Sequence, residues 1–295
     1  MPSSAASPNR SLKPVLALHP AGRDDIGDLT TRRPLPGPKI DLLDPFLFLN
    51  HHGPQTYRPG NAGLPFGPHP HRGFETVTFI LEGELAHSDT GGHESIIGPG
   101  GMQWMTAGSG LVHAELSPAS FKKSGGPLEI LQLWVNLPAR LKMTQPRYTG
   151  LQSDAIPAFP TEDGRGTVNL IAGRWAGHAG PVESLTGVMM STVLLQPGGR
   201  FAADGLAGRN VFLYVVRGSV LVNGHAAEAF HLVELGEGDA VEVAAGEAGA
   251  TLLFGHADPI GEPVVAYGPF VMNTPDEIRQ AVRDYQAGLF NKPAA

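Results

Sequence analysis

Thr76-Val77-Thr78-Phe79-Ile80-Leu81, interrupted by Glu82-Gly83-Glu84 and resumed by Leu85-Ala86-His87-Ser88-Asp89, is the stretch on which the fold turns. The first part is β-branched and apolar, the middle carries a glycine, and the last part continues as a short strand. The pattern predicts a β-hairpin. A second copy follows in Val211-Phe212-Leu213-Tyr214-Val215-Val216, Arg217-Gly218-Ser219 and Val220-Leu221-Val222-Asn223-Gly224. Further strands are expected at 101–106, 111–116 and 129–136, and after the second copy at 232–235, 240–243 and 251–255. A period this long implies a duplicated barrel rather than a solenoid. The boundary is expected in the polar, Gly/Pro-containing stretch 146–167.

Composition supports many short strands. The 39 glycines and 27 prolines are spread along all 295 residues, as tight turns between strands require. A formal net charge of −7 without a lysine/arginine block gives no electrostatic footprint for nucleic acid. There are no cysteines, so any metal must be held by nitrogen and oxygen. The Ser/Ala/Pro-rich start does not read as a secretory signal, and residues 1–13 are expected to form a flexible leader. No stretch approaches the ~18 apolar residues of a membrane span, which makes the cytoplasm the expected location.

Seven of the twelve histidines fall between residues 51 and 113. Four side chains there form two doublets, His69-Pro70-His71 and His113-Ala114-Glu115. On a strand, residues i and i+2 point to the same face, so each doublet can aim two ligands into one cavity. Three imidazoles and a carboxylate suit a divalent first-row ion. A six-coordinate ion such as Fe(II) would keep two positions open. Mn, Co, Ni, Cu or Zn would accept the same donors. Where the second copy should carry such a doublet it has Arg200-Phe201-Ala202-Ala203-Asp204, so the second barrel is expected to be metal-free. The tail changes period: Thr274-Pro275-Asp276-Glu277 is a capping box. Ile278, Ala281, Val282 and Tyr285 then follow at helical spacing, and Gly288 can end the helix.

Gly67-Pro68-His69-Pro70-His71-Arg72-Gly73-Phe74-Glu75-Thr76-Val77-Thr78 resembles the first cupin motif. Met102-Gln103-Trp104-Met105-Thr106-Ala107-Gly108-Ser109-Gly110-Leu111-Val112-His113-Ala114-Glu115 resembles the second, in the form used by the pirin family. Leu133-Trp134-Val135-Asn136-Leu137-Pro138 and the 261–274 stretch resemble pirins too. The resemblance implies an all-β fold of two cupin (double-stranded β-helix, jelly-roll) barrels in tandem with a short C-terminal helix. It implies a metal-binding domain at 14–150 and a metal-free one at 151–295 that includes the helix. Many cupins take a carboxylate ligand five residues after the second histidine, but that position is Thr76 here. The pirin pattern uses the second motif instead, which fits Glu115 and leaves Glu75 a supporting role.

The resemblance further implies a quercetin 2,3-dioxygenase-like oxidoreductase that opens a flavonol ring with O₂. Glu115 would be both ligand and proton acceptor. The alternative is a metal-binding, redox-sensing regulatory protein that contacts a protein partner. His51 and His52 are expected in a loop or behind the ligands, or at the cavity mouth. His87 and His93 are expected on the hairpin surface, Gln103 in the pocket and Trp104 in the core.

Overall fold

A computed structural model describes residues 11–291. Most of the expected leader lies outside that range. Of its last residues, Lys13 is anchored: its N–H donates to Ala240 O at 2.9 Å, and its Nζ donates to the carbonyls of Arg209 and Gly236.

The described chain is β-rich and divides into two compact units, residues 21–156 with 260–291, and residues 11–20 with 157–259. The expected division into 14–150 and 151–295 is therefore crossed at both ends. Val15–Pro20 pairs with His231–Leu235, far along the chain. Pro275–Gln286, the C-terminal helix, belongs with the first barrel. The reason is packing: Ile278 and Ala281 are buried with Phe270, Met272 and Phe290, and Val112 of the first barrel packs on that cluster. The capping box is formed as expected. Glu277 N–H donates to Thr274 Oγ1 at 3.3 Å, and the Glu277 carboxylate accepts the Thr274 N–H at 2.8 Å.

The first unit contains two antiparallel sheets. The larger runs Arg147–Leu151, Met102–Thr106, Phe74–Glu82, Gly126–Asn136, Phe46–Tyr57, Thr31–Leu35 and Gly22–Arg23. The smaller runs Phe66–His71, Leu111–Leu116, Leu85–Asp89 and Glu94–Ile97. Side chains of both sheets meet in the interior, where Thr78 of the larger bonds Glu115 of the smaller. The predicted hairpin at 76–89 is absent, because Phe74–Glu82 and Leu85–Asp89 lie in different sheets. The Glu82-Gly83-Glu84 break is a corner through which the chain changes sheet. Gly83 has φ 85, a conformation that costs glycine little.

The second unit repeats the device with less interruption. Gly218 has φ 79, but Asn210–Val222 continues through it as one bent strand, with register breaks around Arg217 and Ser219. The true hairpin comes later, at Asn223-Gly224, where both residues have positive φ and Val222 pairs with His225. The strands expected at 240–243 and 251–255 are one strand, Val241–Ala257, paired along Asn210–Val222. Apolar side chains from these strands, among them Leu213, Val215, Val243 and Phe254, fill the interior. No helix among the described residues is long and apolar enough to cross a membrane.

Candidate metal centre

Phe66–His71 and Leu111–Leu116 are antiparallel neighbours, with His69 opposite His113 and a register break between His113 and Glu115. Strand alternation then places His69, His71 and His113 on one side. The ring centroids of His69 lie 4.8 Å from those of His71 and 4.4 Å from those of His113, and His71 is 4.9 Å from His113. One ring nitrogen from each lies within 4.8 Å of the other two. His71 and His113 are buried and His69 is half-buried.

The polar partners orient these rings. His69 Nδ1 donates to the Gly67 carbonyl at 2.8 Å, and His71 Nδ1 lies 3.4 Å from the Pro269 carbonyl. A carbonyl only accepts, so the proton sits on Nδ1 and the Nε2 lone pair is left bare. Burial, reinforced by the neighbouring imidazole, pulls His71 down to about 3 and holds His113 well below the usual histidine range. His71 and His113 are thus neutral, the form in which imidazole ligates metals. His69 Nε2 and His113 Nε2 face each other at 3.0 Å. Two inward-facing ring nitrogens are the donor chemistry a cation completes, so the residues fit a divalent ion.

Glu115, the fourth expected ligand, lies beside this trio without joining it. It is buried, and its Oε1 accepts from Thr78 Oγ1 at 3.0 Å and from Gln103 Nε2. Its Oε2 accepts from Gln132 Nε2 at 2.5 Å. Gln103 in turn accepts from the Tyr148 hydroxyl at 3.1 Å. Burial pushes the Tyr148 phenol up to about 12, so it remains a donor. Gln132 has a recoverable signal, being a polar residue inside the apolar run Ile130-Leu131-Gln132-Leu133-Trp134 of a central strand. Thr78 closes the first motif quoted above, whereas Tyr148 lies outside both motifs.

An aromatic shelf adjoins His71. Trp134 lies 5.4 Å from the His71 ring, 4.4 Å from Phe74 and 4.6 Å from Phe48, with which it stacks. Phe48 and Trp134 are half-buried. The Trp134 Nε1–H has no acceptor among the described residues.

The other expectations divide. His87 is not a surface residue: it is 3% exposed, 5.4 Å from the His113 ring, and stacked on Tyr148 at 4.2 Å. Its Nε2 lies 2.9 Å from Asp89 Oδ2, and the exposed His93 bonds the same carboxylate. His51 and His52 lie within Phe46–Tyr57 rather than in a loop. His51 Nε2 is 2.8 Å from Glu129 Oε1 with both side chains fully enclosed, and His52 Nδ1 is 2.9 Å from Thr31 Oγ1. Glu75 is buried and accepts from Thr106 Oγ1 at 2.7 Å. Trp104 is in the core.

Comparison with known proteins agrees with this geometry. The pirin family model matches residues 28–135, and the model of the pirin C-terminal cupin domain matches residues 190–291. A pirin-like protein of Caulobacter vibrioides is 42% identical over 261 residues, covering 88% of this chain and 91% of its own length. Pirin of Homo sapiens is 40% identical over 263 residues, with 86% of each covered. The crystal structure of a quercetin 2,3-dioxygenase from Acinetobacter baumannii matches with a TM-score of 0.89 at 32% identity, covering 96% of this chain and 100% of that one. Two cupin units, two matching family models and relatives that span most of the chain make this protein a member of the pirin family.

Proposed function

We propose that this chain is a metal-dependent dioxygenase that opens the flavonol ring of quercetin or a related compound with O₂. The observation that carries the reading is the convergence of three imidazoles inside the first barrel. Similarity to a structure described as a quercetin 2,3-dioxygenase supports the substrate class. His69, His71 and His113 would hold one divalent ion, Fe(II) first among the candidates, and Glu115 would supply the fourth ligand while Gln103 keeps its hold on Oε1. When bound, the ion supplies Lewis-acid chemistry that lowers the pKa of a flavonol hydroxyl.

The remaining work falls to the chain. Glu115 takes the hydroxyl proton on a carboxylate oxygen. The half-buried Phe48 and Trp134 offer flat apolar faces to an aromatic ring, and with the buried Phe74 behind Trp134 they exclude water beside His71. The unpartnered Trp134 indole N–H is a donor for a substrate oxygen. The test is O₂ consumption by Fe(II)-loaded protein with quercetin, alongside His71→Ala, with iron content measured in both. Uptake that needs both quercetin and His71 supports the enzyme. No uptake by iron-bearing protein overturns it in favour of a regulatory protein with a protein partner.

A further inference from the structure

The environment of Glu115 contains a hydrogen-bond chain that runs in one direction. The Tyr148 hydroxyl donates to Gln103 Oε1 at 3.1 Å, so that proton is committed. Ser95 Oγ, 2.5 Å from the same phenolic oxygen, must therefore be the donor in that pair. With Gln103 Oε1 accepting from Tyr148, its amide is fixed with Nε2 towards Glu115, where it donates to Oε1. Every proton in the sequence Ser95, Tyr148, Gln103, Glu115 points towards the carboxylate. Each residue comes from a different strand: Glu94–Ile97, Arg147–Leu151, Met102–Thr106 and Leu111–Leu116. Tyr148 is itself held by stacking on His87 at 4.2 Å, with an interplanar angle of 15°.

We infer that Tyr148 and Gln103 are positioning residues that set the orientation of Glu115 towards the three-histidine centre, with Ser95 as the first donor of the chain. The inference rests on the metal-centre reading above. An amide has two ends of nearly equal size, so nothing in its shape decides which end meets a carboxylate. Without the Tyr148 hydroxyl, Gln103 can turn its oxygen towards Glu115 and repel it. Outer partners of this kind commonly control metal affinity by about 10–100-fold.

The test uses Co(II) on the full chain, read by competition with a chromophoric chelator and by the visible absorption of the Co(II)-loaded protein. Tyr148→Phe keeps the ring on His87 and removes only the hydroxyl. It is expected to weaken Co(II) binding by roughly 10-fold and to shift the visible band. Gln103→Leu should do at least as much. The double variant should be no worse than Gln103→Leu alone, because both changes cut the same chain. Thermal midpoints, read in parallel, separate this pattern from general loosening of the barrel. Wild-type affinity and spectrum in both single variants, or fully additive losses in the double, would overturn the inference while leaving the metal centre intact. Absence of Co(II) binding by the wild-type chain, or wild-type binding by His71→Ala, would overturn the metal centre and the inference with it.

Discussion

His69 Nε2 lies 3.0 Å from His113 Nε2 across two paired strands. Two nitrogens each ~2.1 Å from one ion and at right angles about it would stand roughly 3.0 Å apart. The pair is therefore already spaced as adjacent ligands of one cation.

Metal should stabilise the chain accordingly. At free metal about 100 times Kd, binding to the folded state alone contributes about 2.7 kcal/mol, roughly 5–10 °C in Tm for a unit of this size. Chelator-treated protein should gain that shift with Fe(II), Mn(II) or Ni(II), and His71→Ala should not. A midpoint that none of the three ions moves would refute a preformed centre.

Glu75 gives the first unit a pH dependence of its own. Burial raises its carboxyl from 4.5 to about 7. Between those values the folded chain keeps a proton that the unfolded chain has released. The contribution is therefore fully present below about pH 4.5, declines as pH rises, and is gone above about 7. At 1.36 kcal/mol per unit it amounts to about 3 kcal/mol. Urea unfolding at pH 5 and pH 8 should show this loss in the wild type, and Glu75→Gln should reduce it. Equal pH dependence in both proteins would mean that Glu75 is not its source.

The two glycine corners should differ in tolerance. A Cβ on Gly218 would stand 2.1 Å from the Gly249 carbonyl oxygen, whereas one on Gly83 would stand 2.9 Å from the Pro127 oxygen. Both residues have positive φ, which alone costs a non-glycine residue about 1–3 kcal/mol. Gly218→Ala should thus lower stability more than Gly83→Ala, by denaturant titration. The reverse order would show that the second corner relaxes where the first does not.

Asp284 anchors the C-terminal helix beside the ligands. Arg72, next to His71, donates from Nη1 to Asp284 Oδ2 at 2.7 Å and from Nε to the Ser109 carbonyl, and its guanidinium lies 4.5 Å over the Phe290 ring. Asp284→Ala leaves a nearly enclosed guanidinium short of its counter-charge. The expected loss is roughly 2–3 kcal/mol, below the ~3–5 of a fully enclosed pair. Protease cleavage in 275–291 should become faster. Unchanged cleavage and stability would place the anchor in the apolar contacts alone.

Much of this is legible in the sequence. β-branched, apolar runs between glycine turns located the strands, and i, i+2 spacing put His69 with His71 because a strand leaves no other arrangement. The chain's chemistry could not say which strands pair. Gly83 reads locally as a hairpin turn, and only the partners of the flanking strands reveal a corner between sheets. His87 read as surface because it follows that supposed turn. Once Leu85–Asp89 joins the smaller sheet, His87 stands opposite Glu115, in the interior. The donors to Glu115, namely Thr78, Gln103 and Gln132, come from three separate strands, so no single local motif contains them all.

Residues 260–291 complete the unit that begins at residue 21. Lys142, buried in that unit, donates to the carbonyls of Gly73 and Val271 and to Asn136 Oδ1, bridging its early and late segments. During synthesis the ribosome must therefore deliver the whole of 157–259 before the histidine-bearing barrel receives its last pieces. The barrel encoded first is the one finished last, and a growing chain halted before residue 260 would carry all three histidines without the segment that supplies the Pro269 carbonyl to His71.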